Sequence, residues 1–354
     1  MALCVTAPLA LLAAEGLARG LTWLRHGVAG DRGGYNDALV EHHPRLGWLG
    51  IPDARVRQHT TEFDVELAIN ALGFRQAELP ASEPSPARRR VTLLGDSFVF
   101  GAGVAEDQRL GERLAASAPD LEVVSLGLPA WGTDQALLAW SELEGPHANS
   151  RLVVLTHLPE HVVRNGADAR MGRAKPRFEL RDGALELVGV PVPAWTEDAR
   201  AKIPASPRTL LRRHSRLYAL LAQSLRSPAR RTLGRAEADP YPQYTDDAPS
   251  WQVTRALFAE LQRRVRARGA ELALVIVPEA RHLEPDFGEA HRSAVLAACA
   301  ELGLPALDLT PALRAARAAG VEPLYFPSDG HWTLAGHTVA ARALERFLRE
   351  AGLL

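Results

Sequence analysis

Two short segments near opposite ends of the chain carry residues whose types and spacing suit nucleophilic catalysis. An apolar run over residues 91–95 leads directly into Asp96-Ser97, and Asp329 precedes His331 by two positions. A serine attacks only when a base takes its proton, and a nearby carboxylate can hold an imidazole in the tautomer that accepts it. Taken singly, Asp96-Ser97 also suits a helix N-cap, and His331 a surface histidine. Together the segments suit a Ser97–His331–Asp329 triad.

A third segment offers a donor for the negative oxygen that develops when a serine attacks a carbonyl. The sequence VSLGLPAWGT places Gly127 at the end of a predicted strand. Glycine lets a substrate approach the backbone closely, and the backbone N–H groups of Gly127 and Ser97 suit an oxyanion hole. The alternative for Gly127 is a plain strand-to-helix turn.

The elements that must position these residues alternate regularly along the chain. Short apolar runs predict strands, and apolar stripes with helical spacing predict helices. This alternation indicates a parallel sheet covered by helices on both faces, with ligands bound beyond the carboxyl ends of the strands. The strands are predicted at 91–95, 121–127, 151–158, 271–277 and 304–309, and the helices at 107–118, 133–144, 251–268, 287–302 and 334–351.

The flanking segments divide the chain into three predicted regions: 1–26, 27–90 and 91–350. The region 27–90 reads as a linker and a small β lead-in, in which Phe63, Val65 and Leu67 alternate with polar residues. The main region carries an insertion at 165–250. Within it, Asp182-Gly183 predicts a hairpin, and residues 207–225 predict a helix.

Composition excludes several classes of protein. The chain has 354 residues, 47% of them apolar and 23% charged, with a net charge of −1. This balance argues against a general nucleic-acid binder and fits one large α/β domain with additions, or two modest domains. The only cysteines, Cys4 and Cys299, exclude a disulfide-rich scaffold and a cysteine-based zinc site. Their apolar surroundings favour two free, buried thiols over one disulfide.

The uncharged run over residues 2–14 leaves three interpretations open. It is short for a spanning helix, which needs about 20 residues, and it lacks the basic start and cleavage site of a secretory signal. A membrane anchor whose true start lies upstream, a degenerate signal peptide and an amphipathic surface helix all fit. We expect membrane contact through this segment.

The three candidate segments resemble, in order, the blocks of the SGNH/GDSL hydrolase superfamily, over roughly residues 91–350. LLGDSFVFGAGV is similar to the nucleophile block, VVSLGLPAWGTDQALL to the block with the oxyanion glycine, and SDGHWTLAGHTVAARAL to the block with the Asp and His of the triad. The resemblance implies a three-layer α/β/α sandwich with a mostly parallel, flavodoxin-like sheet, here preceded by an N-terminal hydrophobic helix. It implies Ser97 as nucleophile and no metal or organic cofactor.

Two positions depart from the family pattern. Ser328 stands three positions before His331, where the family's Asp usually lies, and Asp329 is one position nearer. Glu160 stands where the family places an asparagine that donates to the oxyanion. An ionised carboxylate accepts hydrogen bonds and cannot donate them. We therefore consider Asn165, and the histidines His157 and His161, as substitutes.

The function that the resemblance implies is hydrolysis of an O-acyl ester, such as that of an acylated carbohydrate, by a membrane-anchored protein of the cell envelope. Transfer of an acetyl group to an envelope polysaccharide is the alternative. A catalytically impaired module that binds glycan or scaffolds an assembly is a second alternative, supported by Glu160 alone.

Other polar and aromatic residues have structural explanations that we prefer. Trp131, Trp195 and Trp332 suit core packing better than a carbohydrate platform, and His337 suits a structural role. We interpret the arginine-rich stretch 208–236 as a solvated helix face rather than as a surface for anionic lipid. His157, Glu160 and His161 lack further ligands for a metal ion.

Overall fold

The computed structural model describes residues 13–19, 38–76, 88–194, 217, 241–285 and 287–354. The chain divides into two compact units. The first comprises residues 1–34 and 196–238, and the second comprises residues 35–195 and 239–354. The second unit therefore includes residues 35–90 of the lead-in region and both ends of the expected insertion, residues 165–195 and 239–250.

The first unit is described only in part. Residues 13–19 form a helix, α1, and the Glu15 carboxylate accepts a hydrogen bond from the backbone N–H of Leu217 at 3.0 Å. Several predictions fall outside the described residues, namely those on Cys4, on Trp195 and on most of residues 2–14, 207–225 and 208–236. Within the part that the structure describes, no helix is both long and apolar enough to cross a membrane.

A five-stranded, wholly parallel sheet forms the centre of the second unit. Its spatial order is β13-β12-β7-β5-β6. The prediction of a parallel sheet is confirmed, and each strand lies within two residues of its predicted bounds. The strands are β5 (Arg89–Gly95), β6 (Leu121–Gly127), β7 (Leu152–His157), β12 (Glu271–Ile276) and β13 (Ala306–Asp308).

Both faces of this sheet are buried, which explains why its strands are apolar without alternation. Leu94 and Leu155 point into one hydrophobic cluster together with Trp140 and Phe258. The neighbouring strand residues point into a second cluster on the opposite face. The result is three layers, helix, sheet and helix.

The helices that cover the sheet lie close to their predicted positions. Proline at the first helical turn marks two of their starts, and the Thr333 hydroxyl caps a third by accepting from Gly336 N–H. Three helices were not predicted, namely the short α2 and α5 and the longer α8. The helices of this unit are α2 (Ser97–Phe100), α3 (Leu110–Ser117), α4 (Thr133–Glu142), α5 (His161–Asn165), α6 (Pro249–Ala267), α7 (Glu289–Glu301), α8 (Thr310–Ala318) and α9 (Leu334–Glu350).

Four antiparallel strand pairs surround the central sheet. The predicted strand at Phe63–Leu67 is observed as β4, and the Asp182-Gly183 turn joins β10 to β11 as predicted. The pairs are β1 (Val40–His43) with β2 (Gly47–Gly50), β3 (Arg55–His59) with β4 (Asp64–Ala68), β8 (Ala169–Arg170) with β9 (Arg173–Ala174), and β10 (Arg177–Arg181) with β11 (Ala184–Val188).

Candidate active site

The order of the strands determines where a ligand can bind. The chain passes from β5 to β6 on one side and then to β7 on the other side of β5. Such a reversal opens a crevice at the carboxyl ends of the two strands that flank it. Ser97 follows β5 and the segment 158–161 follows β7, so both lie at this crevice.

The turn after β5 holds Ser97 at the first position of the short helix α2. The Asp96 carboxylate caps this helix by accepting from Phe98 N–H at 3.0 Å. The Ser97 carbonyl accepts from the backbone N–H groups of Gly101 and Ala102 at 2.9 and 3.0 Å. The local sequence thus forms a rigid turn that fixes the serine.

The candidate base and acid lie on the loop that precedes α9. This loop closes on itself, because Phe326 N–H donates to the His331 carbonyl at 2.8 Å and Gly330 N–H donates to the Phe326 carbonyl at 2.9 Å. Gly330 has a φ of 88°, a left-handed conformation that glycine adopts at little cost. The loop holds Asp329 and His331 on one short turn.

The structure brings the three predicted triad residues into one hydrogen-bonded row. His331 Nε2 lies 2.7 Å from Ser97 Oγ, and His331 Nδ1 lies 2.5 Å from Asp329 Oδ1. The Phe98 ring packs beside the imidazole, with ring centroids 5.1 Å apart. This is the geometry of a nucleophile, a base and an orienting acid.

The electrostatics of the row suit an ionised acid. Burial opposes ionisation of Asp329, but the hydrogen bond and the charge of His331 hold the pKa of its carboxyl below the ordinary value. An ionised Asp329 keeps the proton of a neutral imidazole on Nδ1, so that Nε2 faces the serine as an acceptor.

Gly127 lies directly against the nucleophile turn. It pairs with Gly95 at the ends of β6 and β5. A Cβ at position 127 would come within 2.6 Å of Val99 Cβ and 2.8 Å of the Asp96 carbonyl oxygen. The glycine is therefore required for α2 to pack this closely on the sheet.

Glu160 is engaged by two arginines. Its carboxylate accepts from Arg164 Nη2 at 2.6 Å and from Arg170. Burial raises the pKa of Glu160, but the two guanidinium groups outweigh it and hold the pKa below its ordinary value. An ionised Glu160 in this setting is an acceptor in an ion-pair network, which differs from the donor role of the asparagine that it replaces in the sequence pattern.

Arg164 connects Glu160 to the nucleophile turn, and sequence reasoning missed it. Its Nη1 donates to Asp96 Oδ2 at 2.7 Å and to the Trp131 carbonyl at 2.8 Å. Burial disfavours the charge of Asp96, yet His161 and Arg164 hold the pKa of this carboxyl well below its usual value. The i,i+4 spacing of Glu160 and Arg164 was the signal in the sequence.

The other candidates for the third oxyanion donor are occupied by structural contacts. Asn165 Nδ2 donates to Thr254 Oγ1 at 2.9 Å. His157 lies between Tyr244 OH, at 3.0 Å, and Thr133 Oγ1, at 3.4 Å. His161 Nε2 faces Asp96 Oδ2 at 3.4 Å. These contacts leave the third donor unassigned.

The aromatic residues near the site belong to the core. Trp131 and Trp332 are fully buried, so neither forms a carbohydrate platform. Trp131 packs edge-on against Phe74, and Trp332 packs against Phe98. His337 is also buried beside Trp332, and burial lowers its pKa to about 3. Among the described residues, no group of three or more His, Cys, Asp or Glu side chains could hold a metal ion.

Comparison with known families identifies a relative of the C-terminal part of the chain. Residues 237–354 match the model of the SGNH hydrolase-like domain ALGX, acetyltransferase AlgX. The matched segment contains Asp329 and His331. The blocks that contain Ser97 and Gly127 lie upstream of it. The match agrees with the resemblance to the SGNH/GDSL superfamily over this C-terminal part of the chain. A search of curated protein sequences found no match.

Solved structures similar to this chain include TesA, with 14% sequence identity, coverage of 74% of this chain and 99% of TesA, and a TM-score of 0.40. A member of the lipolytic protein G-D-S-L family from Veillonella parvula is 13% identical to this chain. The match covers 74% of this chain and 99% of the Veillonella chain, with a TM-score of 0.38. For a GDSL-like lipase from Bacteroides thetaiotaomicron, the identity is 12%, the coverage is 76% and 92%, and the TM-score is 0.38.

Proposed function

We propose that this chain is a member of the SGNH/GDSL superfamily and that it cleaves O-acyl esters through an acyl-enzyme on Ser97. The proposal rests on one observation above all, the hydrogen-bonded row from Ser97 through His331 to Asp329. A serine with its base and orienting acid at these distances is arranged for acyl transfer.

In the first half of this mechanism, Ser97 Oγ attacks the acyl carbonyl carbon while His331 Nε2 takes the serine proton. The backbone N–H groups of Ser97 and Gly127 donate to the developing oxyanion. The intermediate collapses, the bond to the alcohol oxygen breaks, and His331 returns the proton to the leaving alcohol. Asp329 stabilises the imidazolium that forms in between.

In the second half, a hydroxyl compound takes the acyl group from Ser97. It gives its proton to His331 as its oxygen attacks the ester carbonyl, and the imidazolium then returns the proton to Ser97 Oγ. If the acceptor is water, the products are a carboxylic acid and the free enzyme. If the acceptor is a sugar hydroxyl, the acyl group moves to the sugar.

The second outcome is a separate candidate function, and one observation favours it. The family model that matches residues 237–354 carries the description of an acetyltransferase. We therefore propose transfer of an acetyl group to a polysaccharide hydroxyl as the alternative to hydrolysis, with the same residues in the same roles.

Labelling of the serine with a fluorophosphonate tests the shared chemistry. We expect the wild type and a Ser117→Ala control, altered in α3 away from the row, to be labelled, and Ser97→Ala to resist labelling. Equal labelling of Ser97→Ala would remove Ser97 as the nucleophile. No labelling of the wild type would favour the impaired-module alternative.

Partitioning of the acyl group separates hydrolysis from transfer. The enzyme is supplied with p-nitrophenyl acetate, with and without an oligosaccharide acceptor, and nitrophenol, acetate and acetylated sugar are measured. A hydrolase forms one acetate per nitrophenol in both mixtures. A transferase forms acetylated sugar at the expense of acetate.

A further inference from the structure

A hairpin in the β lead-in contacts the loop that carries Asp329 and His331. The tip between β3 and β4 places the half-buried Glu62 opposite that loop. Glu62 Oε1 accepts a hydrogen bond from Ser328 N–H at 2.8 Å, and Oε2 accepts one from Asp329 N–H at 2.8 Å. One carboxylate therefore holds two successive backbone N–H groups of the catalytic loop.

The tip itself is fixed by local hydrogen bonds. Thr60 Oγ1 accepts from the backbone N–H groups of Glu62 and Phe63, both at 3.1 Å. Thr60 N–H donates to the Phe63 carbonyl at 2.9 Å. These hydrogen bonds fix the backbone from which the Glu62 side chain reaches the catalytic loop.

Aromatic packing joins the same tip to both halves of the active site. The Phe63 and Phe326 rings lie 5.1 Å apart, and Phe326 begins the catalytic loop. Both rings also lie against Gly103, just after the nucleophile helix. A Cβ at Gly103 would come within 2.7 Å of the Phe326 ring and 3.0 Å of the Phe63 ring. The tip, the catalytic loop and the segment after α2 are thus packed together.

We infer that Glu62 is a positioning residue for the catalytic acid, acting through the backbone of Ser328 and Asp329. Asp329 Oδ1 also accepts from His331 N–H at 3.2 Å, so the carboxylate, the imidazole and the loop backbone move together. A hydrogen bond to a charged acceptor is stronger than one between neutral groups. Glu62 therefore fixes the distance from His331 to Ser97, an inference that rests on the proposed function.

The test compares Glu62→Ala and Glu62→Gln with the matched control Glu66→Gln. Glu66 lies on the same hairpin, is exposed, and pairs with the exposed Arg55. A displacement of about 1 Å can cost about 100-fold in rate, so we expect Glu62→Ala to lower kcat on a p-nitrophenyl ester by about ten- to 100-fold, with KM little changed. Glu62→Gln keeps one acceptor oxygen and should lose less. Glu66→Gln should match the wild type.

Two further measurements separate positioning from a general loss of stability. In an Asp329→Asn background, Glu62→Ala should lower kcat little further, because effects on one unit do not add. The far-downfield proton NMR signal of His331 Nδ1–H, assigned by its absence in His331→Ala, should broaden in Glu62→Ala and stay sharp in Glu66→Gln.

The outcomes are distinct for the two proposals. Wild-type kcat and an unchanged NMR signal in Glu62→Ala would overturn the role of Glu62, as would an equal loss of kcat in the Asp329→Asn background. A wild type that neither hydrolyses the ester nor reacts with a fluorophosphonate would instead overturn the proposed function. The NMR comparison would still decide whether Glu62 holds the loop.

Discussion

Replacing Arg164 by methionine should expose how strongly the nucleophile turn depends on a buried charge. The change removes the two hydrogen bonds from Arg164 Nη1 to Asp96 Oδ2 and to the Trp131 carbonyl. It also removes the ion pair with Glu160. Asp96, which is fully buried, keeps Phe98 N–H at 3.0 Å and His161 Nε2 at 3.4 Å as hydrogen-bond partners.

The expected cost follows from burial. Removing one partner of a buried ion pair typically costs about 3–5 kcal/mol, because the remaining charge is left without compensation. Arg170 provides a matched control, since it binds the same Glu160 but its side chain is 32% exposed. Arg170→Met should cost at most about 1 kcal/mol, as for other exposed pairs.

The pH dependence of stability should change direction in Arg164→Met. In the wild type, the pKa of Asp96 is held below its unfolded value of about 3.9, so its contribution to stability is present at neutral pH and is lost only at strongly acidic pH. Without Arg164, burial favours proton uptake by Asp96, and the loss of the guanidinium charge raises the pKa of its partner His161. The folded variant then binds an additional proton, and its stability should rise as pH falls from 7 towards 5.

Urea unfolding followed by tryptophan fluorescence measures these effects. Asp96→Asn removes the uncompensated charge and should restore about 0.5–3 kcal/mol when added to Arg164→Met, the range found for coupled neighbours. A free energy of unfolding for Arg164→Met equal to that of Arg170→Met, or no recovery with Asp96→Asn, would refute the buried pair as the source of this stability.

The remaining predictions concern the site and the N-terminal segment. The double variant Ser97→Ala/His331→Ala should be little slower than either single variant in ester hydrolysis, and a multiplicative loss would mean that the two act independently. Glu160→Asn should lower the free energy of unfolding by about 1–3 kcal/mol without raising kcat/KM. A ten-fold rise in kcat/KM would instead indicate that the side chain at position 160 contributes to the oxyanion hole. Gly127→Ala should lower kcat by about 100-fold, the cost of a displacement of about 1 Å, because its Cβ meets Val99 and the Asp96 carbonyl; kcat is measured on a p-nitrophenyl ester, with circular dichroism as the check on folding. Deletion of residues 1–26 should release the protein from a membrane fraction while fluorophosphonate labelling persists, and a full-length protein found entirely in the soluble fraction would end the anchor hypothesis.

The sequence predicts the central fold well, because a parallel sheet buried on both faces requires continuous apolar strands. Each predicted strand of this sheet is observed. The helix α8 was missed because its buried side chains are few, Leu313 being the only large apolar one. Pro311 near its start and Gly320 beyond its end were available signals.

The sequence predicts only those site residues that lie in short, recognisable sequence patterns. Ser97, Asp329 and His331 lie in short patterns that can be read without a structure, and the structure places them within hydrogen-bond distance. Glu62 lies in a hairpin turn, 266 positions before Ser328. No local periodicity or spacing links two such residues, so only the three-dimensional contact shows that they meet.

The distance along the chain between the nucleophile and its base has a consequence for biosynthesis. Ser97 and His331 are 234 positions apart, and every strand of the central sheet precedes His331 in the order of translation. A ribosome-bound chain can therefore bring together β5, β6, β7 and β12 and the serine turn while its base is still unsynthesised. The nucleophile meets its base only after the last loop emerges, so incomplete chains carry a serine without the means to activate it.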